Sequence, residues 1–187
     1  AVLTGANRLL GLGQGREELL DMAGRIGADV PFFLHESSFC IGRGRGDMIT
    51  PLRSTAIIWH IAAVFNFQVL TAGVYKALRG PLNTGGGLNL RLTDGRVDVK
   101  MTFPEKLASL VYNRLEEVVL SRFGVIGDVK RLLLGEGAIA VLLSGSGPTV
   151  FGLVNTREEA VEVKRRVERK LTGLKCRLLV VQTMKGV

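Results

Sequence analysis

The sequence predicts an α+β fold in which helices pack on one face of an antiparallel sheet. Apolar runs of strand length occupy residues 56–65, 138–143, 149–154 and 176–181. Between them lie longer segments whose apolar residues recur at helical spacing. The resulting order of strand, helices, two strands, helix and strand is typical of a sandwich with helices over an antiparallel sheet.

The composition is that of a globular protein with an excess of positive charge. The chain has 187 residues, 47% of them hydrophobic and 22% charged, and a formal net charge of +8. This length is enough for one ordinary domain, or for one domain and part of another. The positive charge favours a partner that contains phosphate, either a nucleic acid or a nucleotide. Aromatic residues make up only 6%, which argues against a platform for single-stranded nucleic acid.

Cysteine usage and hydropathy predict a cytoplasmic protein without a membrane span. Cys40 and Cys176 are the only cysteines, lie far apart and lack metal-ligand spacing, so reduced thiols are the simplest interpretation. Residues 54–75 contain no charged side chain, but polar residues interrupt them and the strongly apolar part is too short to cross a bilayer. We expect a strand, a loop and a helix there.

The first part of the chain predicts two helices followed by two strands. The helices are expected over residues 1–10 and 16–26, with Gly27 ending the second. A short strand at residues 39–41 and a basic, glycine-rich turn at residues 43–51 follow, and the turn leads to another strand.

The second part of the chain predicts helices around a strand hairpin. A polar, glycine-rich loop is expected over residues 80–95. Gly124 is expected to follow the longest helix, and Thr156 and Glu159 form a capping box that opens the last one. The predicted helices, in chain order, cover residues 71–79, 104–123, 128–134 and the segment from the capping box to residue 171.

The SGSG segment at residues 144–147 is the strongest candidate for a ligand-binding loop. It connects two apolar runs, and its two glycines allow the backbone to turn sharply and to approach a ligand closely. Successive exposed N–H groups in such a loop can bind an anion. A hairpin turn without a ligand is the alternative, and it is the better interpretation of an isolated SGSG because glycine and serine are common in turns.

Two titratable residues lie in apolar surroundings in the sequence. Asp29 stands just ahead of an apolar run, where an acid usually caps a turn but can also act as a general base whose pKa is tuned by its environment. His60 lies inside a predicted strand and is expected to be a core histidine with satisfied hydrogen bonds. The chain has no Walker P-loop, and the glycine runs at residues 11–15 and 42–46 miss the dinucleotide pattern and are interpreted as turns.

Taken together and in order, these segments resemble the GHMP kinase superfamily. The specific parts are GADVPFF at residues 27–33 and SGSGPT at residues 144–149, and the segments at residues 71–78 and 113–116 extend the similarity. The likeness is to the branch that phosphorylates the 2-hydroxyl of 4-diphosphocytidyl-2-C-methyl-D-erythritol in non-mevalonate isoprenoid biosynthesis. It implies the GHMP kinase fold. Residues 1–53 would be the remainder of the N-terminal domain and residues 54–187 the complete C-terminal sandwich domain.

The resemblance also implies a role for individual residues. Asp29 would be catalytic, accepting or orienting the proton of the substrate hydroxyl at the transferred phosphoryl group. Tyr75 would stack on the cytosine, and Thr71 would lie near the reactive end of the substrate. Such roles agree with the chemistry, because phosphoryl transfer depends on positioning and charge stabilisation more than on covalent catalysis.

The resemblance places Gly145, Ser146 and Gly147 along the active site, close to the substrate and phosphates. It implies ATP and Mg²⁺ as cofactors, a small cytidine diphosphate substrate, no metal held by protein ligands alone, and no nucleic-acid or membrane partner. The ATP loop of the family is expected just before Ala1. Because the chain starts inside a helical pattern, we expect that its beginning is missing and that the 187 residues alone are inactive.

The chain departs from the family pattern, and two alternatives stay open. Arg114 stands where the family has aspartate, and a proline expected near Asn66 is absent. Another GHMP kinase, of the homoserine or mevalonate type, is one alternative, although Tyr75 has no obvious purpose for a small aliphatic substrate. The other alternative is a basic nucleic-acid-binding α+β module, which would bind with a strong dependence on salt.

Overall fold

The computed structural model describes residues 1–35, 37–44, 46–52, 57–78, 112–171, 173 and 176–183. They divide into two compact units, one within residues 1–52 and the other within residues 57–183. Among the described residues, no helix combines the length and the apolar character that a membrane span requires.

The first unit contains three short helical segments and a two-stranded hairpin. Its elements are α1 (Val2–Leu9), α2 (Arg16–Ile26), a 3₁₀-helix (Pro31–Leu34), β1 (Phe39–Arg43) and β2 (Met48–Leu52). The predicted bounds of α2 are confirmed, and acidic residues in its first turn complement the helix dipole. The apolar side chains of α1 are not buried by the described residues. The predicted turn at residues 43–51 is wrong in length, because the antiparallel pairing of Arg43 with Met48 leaves only residues 44–47 between the strands.

The second unit is a four-stranded antiparallel sheet with helices on one face. Its described elements in chain order are β3 (Trp59–Phe65), α3 (Thr71–Ala77), α4 (Leu115–Arg122), α5 (Gly124–Gly135), β4 (Ala140–Leu143), β5 (Val150–Val154), α6 (Arg157–Lys170) and β6 (Cys176–Gln182). The strands lie in the order β4-β5-β3-β6, and every neighbouring pair is antiparallel. The predicted α+β class is therefore confirmed.

The core of this unit lies between the sheet and the helices. Alternate residues of β3, namely Ile61, Ala63 and Phe65, are buried because successive side chains of a strand point to opposite faces. Helices α4, α5 and α6 cover this face with side chains at helical spacing, and α3 adds Val74 to the same core. The fully buried members of α4, α5 and α6 are Val119, Ile126, Val129, Leu133, Ala160, Val163 and Val167.

The helical predictions are confirmed at α6, and at α4 and α5 they are wrong at the start of each helix. Thr156 Oγ1 accepts a hydrogen bond from the Glu159 N–H at 3.1 Å, as a capping box requires. The long helix predicted over residues 104–123 does not include residues 112–114, which precede the described helix α4 and its first residue, Leu115. Gly124 does not end the helical region but begins α5, four residues earlier than predicted. The remainder of the long helix and the loop predicted at residues 80–95 lie outside the described residues.

His60 is not satisfied in the way the sequence predicts. It lies on β3 with its ring edge-on to Phe151, at a centroid separation of 5.7 Å. Its Nδ1 atom is buried and has no hydrogen-bond partner among the described residues. Burial lowers the pKa of His60, because a buried ring is less stable in its charged form.

Candidate active site

The SGSG segment forms a tight loop at the end of the β4–β5 hairpin. The Ser144 N–H donates to the Thr149 carbonyl at 2.8 Å, and the Gly147 N–H donates to the Ser144 carbonyl at 2.9 Å. Gly145 and Gly147 have φ angles of +54° and +83°, in the left-handed region that glycine enters without a steric penalty. The loop conformation therefore requires glycine at both positions.

Two backbone donors of this loop are not used within the described part of the chain. The Gly147 N–H is bonded inside the loop, whereas no described residue accepts a hydrogen bond from the N–H of Gly145 or Ser146. The hydroxyl of Ser146 is engaged separately, with Thr71 Oγ1 at 2.8 Å. The amides of Gly145 and Ser146 are therefore the loop groups that can donate to an anion.

The contact between Thr71 and Ser146 links the loop to helix α3. Thr71 begins this helix, and Tyr75 follows one turn later, on the same face because residues i and i+4 are neighbours on a helix surface. The Tyr75 side chain is 52% exposed. Its ring is accessible for stacking on a flat ligand. The structure thus brings together the loop and Thr71, and it places Tyr75 on the helix that begins with Thr71.

A group of side chains that sequence reasoning did not assign holds the same loop. The Asn113 amide donates to the carbonyl oxygens of Leu143 at 2.9 Å and of Gly145 at 2.7 Å. Glu116 accepts a hydrogen bond from the Leu143 N–H at 2.9 Å and forms an ion pair with Lys130.

A local signal for part of this arrangement was available in the sequence. An asparagine followed three residues later by glutamate is typical of a helix start, and the Leu115 N–H does donate to Asn113 Oδ1 at 3.0 Å. The prediction of one helix through residues 104–123 obscured this signal. No local pattern indicates that the remaining groups of Asn113 and Glu116 reach a hairpin about 30 residues further along.

Asp29 lies in the other unit, in the turn between α2 and the 3₁₀-helix. The Val30 N–H donates to the Gly27 carbonyl at 3.1 Å and closes this turn. Among the described residues the Asp29 side chain is exposed, not enclosed by the apolar residues that follow it in sequence. A Cβ placed on Gly46 would lie 3.9 Å from Asp29 Oδ1, so the β1–β2 turn passes beside the carboxylate.

Known proteins resemble this chain both in sequence and in structure. Residues 102–173 match the family model described as GHMP kinases C terminal. The chain is 38% identical over 159 residues to the 4-diphosphocytidyl-2-C-methyl-D-erythritol kinase of Geobacter metallireducens, covering 85% of this chain and 53% of that protein. It is similar to a crystal structure of 4-(cytidine 5'-diphospho)-2C-methyl-D-erythritol kinase at 25% identity and a TM-score of 0.71, covering 97% of this chain and 61% of that one.

The chain belongs to the GHMP kinase superfamily. A homoserine kinase structure from Cytophaga hutchinsonii shares the fold. Its TM-score is 0.63 and its sequence identity 17%, and the match covers 96% of this chain and 61% of that one. The chain spans about half the length of the curated relatives it matches. The matched family model includes the SGSG loop and the side chains that hold it, whereas Asp29, Thr71 and Tyr75 precede its first residue.

Proposed function

We propose that the protein transfers a phosphoryl group from ATP to the 2-hydroxyl of 4-diphosphocytidyl-2-C-methyl-D-erythritol, in isoprenoid biosynthesis. The names of the relatives supply the substrate and the kinase activity. The observation that supports the proposal most directly is the hydrogen bond between Thr71 and Ser146. It joins the helix that bears an exposed aromatic ring to a loop with two available backbone donors, which suits a ligand with a nucleobase at one end and phosphates at the other.

The second unit provides groups for both ends of such a ligand. The ring of Tyr75 stacks on the cytosine, since a flat aromatic face suits a pyrimidine. The N–H groups of Gly145 and Ser146 donate to phosphate oxygens, and donors that are already fixed need no reorganisation as charge develops. Thr71 lies near the reactive end of the substrate.

Asp29 is the residue that we propose to accept or orient the proton of the attacking hydroxyl. The exposed position of its carboxylate leaves it accessible to a substrate. ATP with Mg²⁺ supplies the phosphoryl group and neutralises its negative charge when bound. Mg²⁺ in such enzymes is bound through one or two carboxylates together with phosphate oxygens. Asp29 offers one carboxylate of this kind, and the described residues contain no cluster that would bind a metal without phosphates.

We also propose that the two units correspond to the N-terminal and C-terminal domains of the kinase fold, with the boundary between residues 53 and 54. We further propose that the protein works in the cytoplasm. Both cysteines are free, and burial raises the pKa of the Cys40 and Cys176 thiols, which supports reduced, unreactive side chains.

The basic residues of α6 support a small-molecule substrate over a nucleic acid, because several of them form ion pairs with acidic side chains. Arg165 and Arg166 pair with Glu162, and Lys170 pairs with Glu136.

The stacking role of Tyr75 is the sharpest test of this function. In the complete polypeptide that contains these residues, we expect Tyr75→Ala to weaken binding of the cytidine substrate by about 1–3 kcal/mol, the value typical of base stacking. Tyr75→Phe keeps the ring and should stay close to wild type. The measurement is KM for the cytidine substrate and KM for homoserine, in wild type and in both variants.

Tyr112 provides a matched control, because it is the other tyrosine of the chain and is 72% exposed. Tyr112→Ala should leave KM unchanged. Equal increases in KM for Tyr75→Ala and Tyr75→Phe would show that the hydroxyl matters and the ring does not. A wild-type preference for homoserine over the cytidine substrate would contradict the proposed function itself.

A further inference from the structure

We propose that Asn113 and Glu116, supported by Lys130, are positioning residues that set the direction of the backbone donors in the SGSG loop. We name these three side chains the loop clamp. The inference rests on the proposed function, because the direction of these donors affects a reaction only if the loop binds phosphate groups. None of the three side chains is assigned contact with the substrate.

The loop clamp acts first on the end of an edge strand. Among the described strands, β4 lies at one edge of the sheet, beside β5. The Ser144 N–H bonds across the hairpin to Thr149, and backbone groups alternate in direction along a strand, so those of Leu143 point away from β5. Asn113 donates to the Leu143 carbonyl, and Glu116 accepts from its N–H. The clamp thus satisfies both groups that the edge would leave unpaired.

Its second action is on the peptide plane inside the loop. The Gly145 carbonyl and the Ser146 N–H belong to one planar trans unit and point in opposite directions. Asn113 holds the Gly145 oxygen at 2.7 Å, so this hydrogen bond sets the direction of the Ser146 N–H. Gly145 itself cannot set it, because glycine has few conformational restrictions.

The same peptide unit is restrained from its other side. The Ser146 hydroxyl bonds to Thr71 at 2.8 Å, and Thr71 begins the helix that bears Tyr75. Through Gly145 and Ser146, the loop clamp therefore also influences where the loop stands relative to the proposed cytosine platform. A ligand that contacts both the SGSG loop and Tyr75 would bind less well if either were displaced.

The loop clamp is itself held in one arrangement. The Leu115 N–H donates to Asn113 Oδ1, which turns the NH₂ group of that side chain toward the loop. Lys130 pairs with one carboxylate oxygen of Glu116 and leaves the other for Leu143. The side chains of Glu116 and Lys130 are only 16% and 23% exposed, where losing a charged partner is costly. The pair is thus part of a fixed network and not a solvated surface contact.

Removal of the Asn113 donors tests the proposal in the complete polypeptide. Asn113→Ala removes both donors, and Asn113→Asp removes them while keeping the acceptor for the Leu115 N–H. We expect kcat for the cytidine substrate to fall by about 100-fold in both variants, the scale for a misplacement of about 1 Å. Glu116→Gln keeps an acceptor for the Leu143 N–H, so its kcat should lie nearer to wild type than that of Glu116→Ala.

Two variants in the same unit control for a general loss of stability. Thr156→Ala removes a side-chain hydrogen bond at the start of α6. Asn113→Ala removes a comparable bond at the start of α4, from the Leu115 N–H. Glu136→Gln breaks an ion pair with Lys170, and the Glu136 side chain is 11% exposed, close to the value for Glu116. Both controls should be destabilised in urea and keep the wild-type kcat. If clamp variants and controls of equal stability share the same kcat, the clamp is only structural and the proposal is wrong.

An NMR measurement separates this proposal from the proposed function. The amide resonance of Ser146 should shift in Asn113→Ala relative to wild type, because its peptide plane is no longer held, and it should not change in Thr156→Ala. A wild-type protein that does not phosphorylate the cytidine substrate would overturn the proposed function. An unchanged Ser146 amide in Asn113→Ala and Asn113→Asp would overturn the loop clamp, whatever the activity.

Discussion

Each unit of the molecule contains a glycine-rich hairpin turn, and the hydrogen bonds that the structure describes differ between the two turns. Residues 44–47 join β1 to β2, and residues 144–149 join β4 to β5. Both turns use glycines with positive φ, for example +96° at Gly46 and +83° at Gly147. In the first turn the Gly46 N–H donates to the Arg43 carbonyl at 3.0 Å, within the turn itself. The second is also held by Asn113 and Thr71, from outside the hairpin.

The difference shows why glycine content alone does not identify a binding loop. Glycine permits left-handed conformations but raises the conformational entropy that folding must overcome. Hydrogen bonds from other segments select one conformation, and only then do the backbone donors have a fixed direction. The β1–β2 turn lies beside the proposed catalytic residue, because Gly46 is next to the Asp29 carboxylate.

The largest expected effect comes from Asp29, beside the simpler turn. Asp29→Asn keeps the size of the side chain and one acceptor oxygen but cannot accept the substrate proton. In the complete polypeptide we expect kcat to fall by about 10²–10⁴-fold, the usual scale for a general base, with the urea midpoint unchanged. Steady-state kinetics with saturating ATP measure this loss.

Asp21 offers the matched control for that substitution. It is an exposed aspartate of the same unit and is paired with Arg25 at 2.6 Å on α2. Asp21→Asn should keep the wild-type kcat. Normal turnover in Asp29→Asn would return Asp29 to the role of a turn residue and would leave the β1–β2 turn without a catalytic neighbour.

The next largest effect is expected from alanine at the glycines of the two turns. A Cβ on Gly147 would lie 3.0 Å from Leu143 Cδ1, in addition to the strain of its positive φ, so we expect Gly147→Ala to cost about 2–4 kcal/mol of unfolding free energy. Gly46→Ala has the backbone strain but only an ordinary contact, and about 1–2 kcal/mol is expected. Urea denaturation of the three proteins measures both differences.

Gly145 separates backbone strain from crowding within the SGSG loop. A Cβ there would meet no described atom within 4 Å, although φ is +54°. Gly145→Ala should therefore resemble Gly46→Ala in stability. Equal losses for Gly145→Ala and Gly147→Ala would show that Leu143 yields to the new methyl group and that the loop is less tightly packed than its contacts indicate.

The smallest effect concerns the histidines of the two units. Burial lowers the pKa of His60, and burial together with the Arg16 guanidinium lowers the pKa of His35. The unfolded chain therefore binds protons more readily than the folded one as pH falls below about 6.5, so each histidine destabilises the fold in acid and has no such effect above that pH.

We expect His60→Gln to reduce the loss of unfolding free energy between about pH 8 and pH 5. His35→Gln should have a weaker effect, because His35 lies nearer the surface. Urea titrations at several pH values measure the slopes. A steeper loss in His60→Gln than in wild type would mean that the folded protein stabilises the protonated ring of His60 and would reverse the sign of this argument.

Local patterns in the sequence determined much of the second unit. The Thr156–Glu159 capping box and the apolar strand runs depend on neighbours within a few residues, and the structure confirms the helix start and the order of these elements along the chain. The family was recognisable for a similar reason, because its specific motifs are short continuous segments. The start of α4 was the failure, since its apolar spacing continues through residues 112–114 although the backbone there is not helical.

Only the tertiary structure decided how the candidate loop is held. Asn113 donates to residues 30 and 32 positions away, and Thr71 reaches a residue 75 positions away. Local spacing contains no information about such pairs, because they form only after the strands have paired and the helices have packed on the sheet. The sequence by itself determined that glycines permit a turn at residues 144–147. Contacts from other segments decided which conformation that turn adopts. Asn113 and Glu116 bond to backbone groups that the strand ladder leaves unpaired, and Thr71 bonds to the Ser146 hydroxyl.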